Sequence, residues 1–208
     1  MLLCDIGNTT ATFYKDRKIW SLDIDKFRLF TPDEKVYYIS VNDNLEDILS
    51  NDIFVNLEPY IKFSTTYLGL GIDRAAVCYS IKTGFIVDAG SAITMDLMSN
   101  NIHLGGFILP GITTTLNSLK KISNRLDKPL NSQIDLDCIP QKTADAISYG
   151  IIKPIILLVE ELSNDKPIYF TGGDGEFLSR FFKNAIYDRA LIFRGMLKAI
   201  DENKEIIC

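Results

Sequence analysis

The sequence predicts an α/β protein made of two related lobes, on three observations. The chain has 208 residues, 47% hydrophobic and 24% charged, enough for one compact body or two small ones with a real core. Short apolar segments alternate with helical patterns in a strand–helix–strand order. An acidic glycine turn occurs twice, at Asp5-Ile6-Gly7-Asn8 and at Asp88-Ala89-Gly90-Ser91, 83 residues apart, about the length of a small domain. The expected lobes are residues 1–83 and 84–208.

Along the chain, residues 2–6 are apolar apart from Asp5, residues 10–14 favour extended backbone, and Gly7-Asn8-Thr9 lies between them. That pattern predicts a β-hairpin. Further strands are expected at 36–41 and 53–55, separated by turns such as Asn42-Asp43-Asn44. Asp73 is placed to cap a helix through Ala75-Ala76-Val77, which Gly84 ends before a strand at 85–87. After the second acidic turn, a strand at 92–97 and another ending at Gly105-Gly106 are expected. Ile112, Leu116, Leu119, Ile122 and Leu126 recur at helical spacing. So do Ala144, Ile147, Ile151, Ile155, Leu158 and Leu162, with Thr143 as the expected cap and Pro154 as the expected kink. A strand at 167–170 runs into Thr171-Gly172-Gly173-Asp174-Gly175, and the tail is expected to hold a strand at 190–193 and a helix after Gly195.

Composition narrows the function classes. With 22 basic against 27 acidic residues and a net charge of -5, no diffuse basic surface is available to hold a nucleic-acid backbone. The most apolar stretch, near 151–159, is interrupted by Lys153 and Pro154 and is too short to span a membrane. The chain opens Met1-Leu2-Leu3-Cys4-Asp5 without the basic segment of a secretory leader, so a cytoplasmic location is expected. Cys4, Cys78, Cys138 and Cys208 form no C-x-x-C pair, and His103 is the only histidine. Neither a zinc site nor a disulfide framework is expected; reduced, buried thiols are. His103 reads as a partly exposed structural residue, Trp20 as core or interface packing, and Lys120-Lys121 with Arg125 and Lys128 as a solvated helix face.

The glycine turns are where chemistry can sit. A glycine at a strand end lets the backbone approach a polyphosphate, whose oxygens can take hydrogen bonds from main-chain N–H groups, Asn8 and Thr9. Asp5 facing a polyanion calls for a divalent cation between them, typically Mg²⁺ held through water. The plainer reading is an Asx-type turn, but a second copy of the motif weighs against it. The third glycine cluster, at 171–175, joins a strand to a helix N-terminus. P-loop and dinucleotide fingerprints are both missing from the sequence.

This set of motifs resembles the superfamily of acetate and sugar kinases, actin and chaperone ATPases, in which two ribonuclease-H-like lobes clasp ATP in a central cleft between paired phosphate loops. Within it, Asp5-Ile6-Gly7-Asn8-Thr9, Gly71-Ile72-Asp73-Arg74, Asp88-Ala89-Gly90-Ser91-Ala92, the 105–111 glycine segment, Thr143-Ala144-Asp145-Ala146-Ile147 and Thr171-Gly172-Gly173-Asp174 are similar, in order, to type III pantothenate kinases. The resemblance implies ATP-dependent phosphorylation of pantothenate, the first step toward coenzyme A, with Asp73 as catalytic base. It assigns ATP contacts to Asp5, Ile6, Gly7, Asn8, Thr9, Thr10, Ala11, Thr12 and Ser91, and pantothenate contacts to Tyr67, Gly71, Ile72, Asp73, Arg74 and Thr143, with Tyr60 competing for the place of Tyr67. It also implies potassium or ammonium at Asp88, and a homodimer.

The sequence departs from the family pattern at Ala75, where many relatives carry Trp, and at Ser91, where they carry Thr. Two further readings stay open: a non-catalytic ATP-binding regulatory factor, and a phosphatase or ATPase of the same superfamily.

Overall fold

The computed structural model describes residues 1–207; of the four cysteines, Cys208 lies outside them. In chain order the strands are β1 (Leu2–Ile6), β2 (Thr10–Lys15), β3 (Lys18–Asp23), β4 (Val36–Ser40), β5 (Phe54–Asn56), β6 (Ser64–Thr65), β7 (Gly84–Ala89), β8 (Ala92–Ser99), β9 (Ile102–Pro110), β10 (Ile168–Thr171) and β11 (Ala185–Tyr187). The helices are α1 (Ile24–Phe27), α2 (Glu46–Leu49), α3 (Ile72–Ser80), α4 (Ile112–Ile122), α5 (Thr143–Ser163), α6 (Gly175–Ser179), α7 (Leu191–Glu202) and α8 (Lys204–Ile207). They divide into two compact units. The first holds Met1–Lys82, Met98–Gly105 and the stretch from Ala190; the second holds Thr83–Leu97 and Gly106–Arg189.

In the first unit the strand order is β3-β2-β1-β4-β5. β1 pairs antiparallel with β2 and parallel with β4, which makes it a central strand; both of its faces are packed, so it is almost wholly apolar. Side chains alternate across it. Leu3 joins a cluster with Ile39, Ile72, Ala76, Phe193 and Met196, the face on which α3 and α7 pack. Leu2, Cys4 and Ile6 join Phe13, Phe27, Val36 and Phe54 on the opposite face. Asp5 follows the parity of Leu3 and so emerges on the α3 side. The α3–α7 crossing is close because Gly195 has no side chain: a Cβ there would lie 1.8 Å from the Ala76 carbonyl oxygen. Within the same unit β6 pairs with β9, placing Thr65 opposite His103.

In the second unit the order is β11-β10-β7-β8-β9, with β10 parallel to both β7 and β11. β7 is another buried central strand that ends in an acidic turn. Ile147, Ile151, Ile155 and Val159, one stripe of α5, pack with Ile112 over Phe85, Val87, Ile93 and Met95. α5 runs through Pro154, whose missing N–H leaves the Gly150 carbonyl without its helical donor.

Several expectations are corrected. The tail residues 190–193 are not a strand: α7 already begins at Leu191, and the strand is β11, paired with β10. The mixed apolar stripe of 191–200 serves a helix buried along one side, which a short window of β-formers conceals. Asp73 and Thr143 are not caps. Gly71 and Lys142 hold those positions, without side-chain capping bonds, and Asp73 and Thr143 lie inside the first turns. β9 continues past Gly105-Gly106 to Pro110. Leu126 falls in a separate 3₁₀ turn after α4. His103 is fully buried rather than partly exposed. Cys4 and Cys78 are buried as expected, but Cys138 is exposed. Trp20, on the edge strand β3, is 38% exposed and stacks on Phe13 with ring centroids 5.4 Å apart.

Candidate active site

The first acidic turn closes β1 onto β2. Gly7 N–H donates to the Thr10 carbonyl at 2.9 Å, leaving Asn8, Thr9 and Thr10 exposed at the tip while Ile6 and Ala11 anchor it in the core. Thr12, on β2, pairs its hydroxyl with that of Ser21 at 3.1 Å. Asn42 steadies the tip from the end of β4: its amide reaches the Gly7 and Asn8 carbonyls at 3.4 and 3.5 Å.

The second turn repeats this plan in its own unit. Asp88 is half-buried, Ala89 is buried, Gly90 N–H donates to the Ala92 carbonyl at 2.9 Å, and Ser91 is exposed. Here the start of α4 is the brace. Gly111 N–H and the Thr114 hydroxyl both donate to the Ser91 carbonyl, at 3.0 and 2.6 Å, and a Cβ on Gly111 would lie 2.1 Å from the Gly90 oxygen.

The third glycine cluster packs against the same turn. Thr171 is in register with Asp88, and Asp174 N–H donates to the Ala89 carbonyl at 2.9 Å. Gly172 has φ +81°, and a Cβ there would stand 2.5 Å from both the Ala89 oxygen and the Asp88 Oδ1. Only glycine fits. Gly172 therefore approaches the Asp88 carboxylate more closely than a residue with a side chain could. Burial raises the Asp174 carboxyl above its ordinary value.

Gly71-Ile72-Asp73-Arg74 opens α3. Asp73 is half-buried, and its Oδ1 accepts the Arg74 N–H at 2.8 Å. A Cβ on Gly71 would lie 2.6 Å from that oxygen, so the glycine leaves room for the carboxylate. Ile72 and Ala75 seat the helix on the core. Arg74 is 6% exposed, and its guanidinium lies 4.7 Å from the Tyr67 ring centroid. A cavity of about 420 Å³ is walled by Thr65, Tyr67, Leu70, Ile72 and Ala75. Tyr60 instead lines a different cavity, with Tyr79 and Glu202. In the second unit Thr143 is exposed at the start of α5, on a groove of about 610 Å³ with Thr115, Leu119, Gln141 and Ile147.

Sequence reasoning misses the braces rather than the tips. Asn42 reads only as a turn former and Thr114 draws no reading; the pairing of β1 with β4, and the entry of α4 beside Ser91, give them their partners.

A two-unit α/β protein with acidic glycine turns at the ends of its central strands has the fold of the sugar kinases and actin-like ATPases. A protein of Sinorhizobium meliloti described as a candidate 2-dehydro-3-deoxygalactonokinase shares it, with a TM-score of 0.57 at 9% identity over 97% of this chain and 96% of that one. Within that class the sequence relationships are closer. The family model of type III pantothenate kinase matches residues 55–165, and the type III pantothenate kinase of Campylobacter jejuni is 54% identical over all of both chains. The chain belongs to the type III pantothenate kinase family. A crystal structure from Campylobacter jejuni, described as a candidate Baf family transcriptional activator, is 53% identical with a TM-score of 0.92, covering 99% of this chain and 100% of that one.

Proposed function

We propose that this protein transfers the γ-phosphoryl group of ATP to the primary hydroxyl of pantothenate, the first step of coenzyme A biosynthesis. The full-length identity to a type III pantothenate kinase carries the reading, and the first turn of α3 supports it chemically. Asp73 accepts the alcohol proton while the hydroxyl oxygen bonds to phosphorus and ADP leaves, with Gly71 and Ile72 shaping the approach. Arg74 binds the pantothenate carboxylate, a bidentate match for a guanidinium; Tyr67 and Thr143 also contact pantothenate. Residues 5–12 and Ser91 hold ATP.

The residues present fit the ions this chemistry calls for. Asp5 is a hard oxygen donor beside a phosphate turn and holds Mg²⁺ through water. Asp88 holds potassium or ammonium. These cations offset negative charge on the phosphates in a net acidic protein. The protein acts in the cytoplasm as a homodimer. Among the described residues no helix is long and apolar enough to cross a membrane.

The test is ADP release from ATP and Mg²⁺, with and without pantothenate, in potassium, ammonium, sodium and lithium buffers. Release that depends on pantothenate, and on potassium or ammonium, is expected. The description of the Campylobacter jejuni structure as a candidate transcriptional activator favours a second reading, a regulatory factor that binds ATP without turnover. That reading predicts no ADP under any condition, and a superfamily ATPase predicts ADP without pantothenate.

A further inference from the structure

A buried guanidinium keeps its charge, because arginine does not deprotonate in proteins, and so it must be held by compensating groups. Arg74 is 6% exposed, and the face of Tyr67 is one of those groups: 4.7 Å from Cζ to the ring centroid lies inside the roughly 6 Å range of a cation–π contact. Such stacking engages the plane of the guanidinium and leaves hydrogen bonding to its N–H edge.

Tyr67 is itself fixed from behind. Its backbone N–H donates to the Thr65 hydroxyl at 3.0 Å, and the same hydroxyl is hydrogen-bonded to His103 Nδ1 at 2.7 Å. His103 is fully buried on β9, in register with Thr65, and its ring centroid lies 5.9 Å from that of Tyr67. Just beyond Tyr67 the chain turns outward, with Leu68 93% exposed and Gly69 at φ +73°. The tie to β9 therefore ends at the residue that carries Arg74.

We infer that Tyr67 acts on pantothenate through Arg74, as a positioning residue whose ring face sets the guanidinium, and that the Thr65–His103 pair holds Tyr67 in place. The inference rests on Arg74 binding pantothenate and changes the part Tyr67 plays there: its ring matters and its hydroxyl does not. It also gives the lone histidine a role.

Steady-state kinetics on the full chain separates these roles. Tyr67→Phe keeps the ring and is expected to stay within about twofold of the unmodified enzyme in the KM for pantothenate. Tyr67→Leu removes the π face and is expected to raise that KM about tenfold, the scale of a partly desolvated cation–π contact, with the KM for ATP unchanged. Thr65→Val is expected to raise the pantothenate KM by a smaller factor and Thr65→Ser to restore it; a general loss of stability would move both KM values and would not be rescued by serine. A rise in Tyr67→Phe as large as in Tyr67→Leu would overturn the inference in favour of direct contact through the hydroxyl. So would an unchanged pantothenate KM in Tyr67→Leu while Arg74→Gln raises it. An unchanged pantothenate KM in Arg74→Gln itself would overturn the underlying substrate reading, and the inference with it.

Discussion

At the scale of single residues the proposed reaction turns on one carboxylate. Asp73 lies in the first turn of α3, where Gly71 leaves it room. Asp73→Asn is expected to bind ATP normally and to lose roughly 100-fold or more in turnover, the scale of losing a general base. Nucleotide titration and kcat measured on the same preparation check this, and unimpaired turnover would remove Asp73 from the mechanism. Away from the site, Tyr79 shows burial acting on a phenol. Desolvation, reinforced by its hydrogen bond to Glu202, pushes its ionisation up to about 12. A pKa raised by folding stabilises the protein fully below the unfolded value of about 10, and that contribution is lost as pH climbs through the folded value. The unmodified protein should therefore lose stability between about pH 10 and about pH 12 that Tyr79→Phe retains. Urea midpoints at about pH 9 and about pH 11, on either side of the unfolded value, test it: a stability difference between the two proteins that is the same at both would refute the assignment.

At the scale of elements, legibility follows how local the cause is. The β1–β2 hairpin, β7 and the long helix α5 are readable because period, turn chemistry and burial agree within short windows. α7 is not, since its Gly195 looks like a helix start and is instead the contact that lets α7 settle on Ala76 of α3. The true caps escape for a related reason: Asp73 and Thr143 are good capping types, yet the backbone enters both helices earlier, at Gly71 and Lys142. The burial of His103 is equally hidden, because nothing near it in sequence signals the Thr65 hydroxyl that satisfies it. Gly195→Ala brings a methyl carbon within 1.8 Å of a carbonyl oxygen, so the two helices must part. A loss of about 1–3 kcal/mol is expected, as for overpacking a tight core, measured by denaturant unfolding; an unchanged midpoint would show that the crossing is looser than described.

At the scale of the whole molecule, the motifs that carry the family relationship stand in order from Asp5 to Asp174, and the two acidic turns share an internal plan although different elements brace them. Each pairs a half-buried aspartate with a glycine N–H closing onto the far strand, and each leaves a hydroxyl residue exposed at the tip. This recurrence makes the candidate site legible in the amino-acid sequence alone. The braces depend on sheet order and helix entry, which no local window contains. The central claim is that the γ-phosphoryl group ends on an alcohol. The direct measurement is to supply ATP labelled at the γ-phosphorus together with pantothenate and to follow the label. It is predicted to appear in phosphorylated pantothenate; label recovered only as inorganic phosphate, or retained in ATP, would contradict the claim.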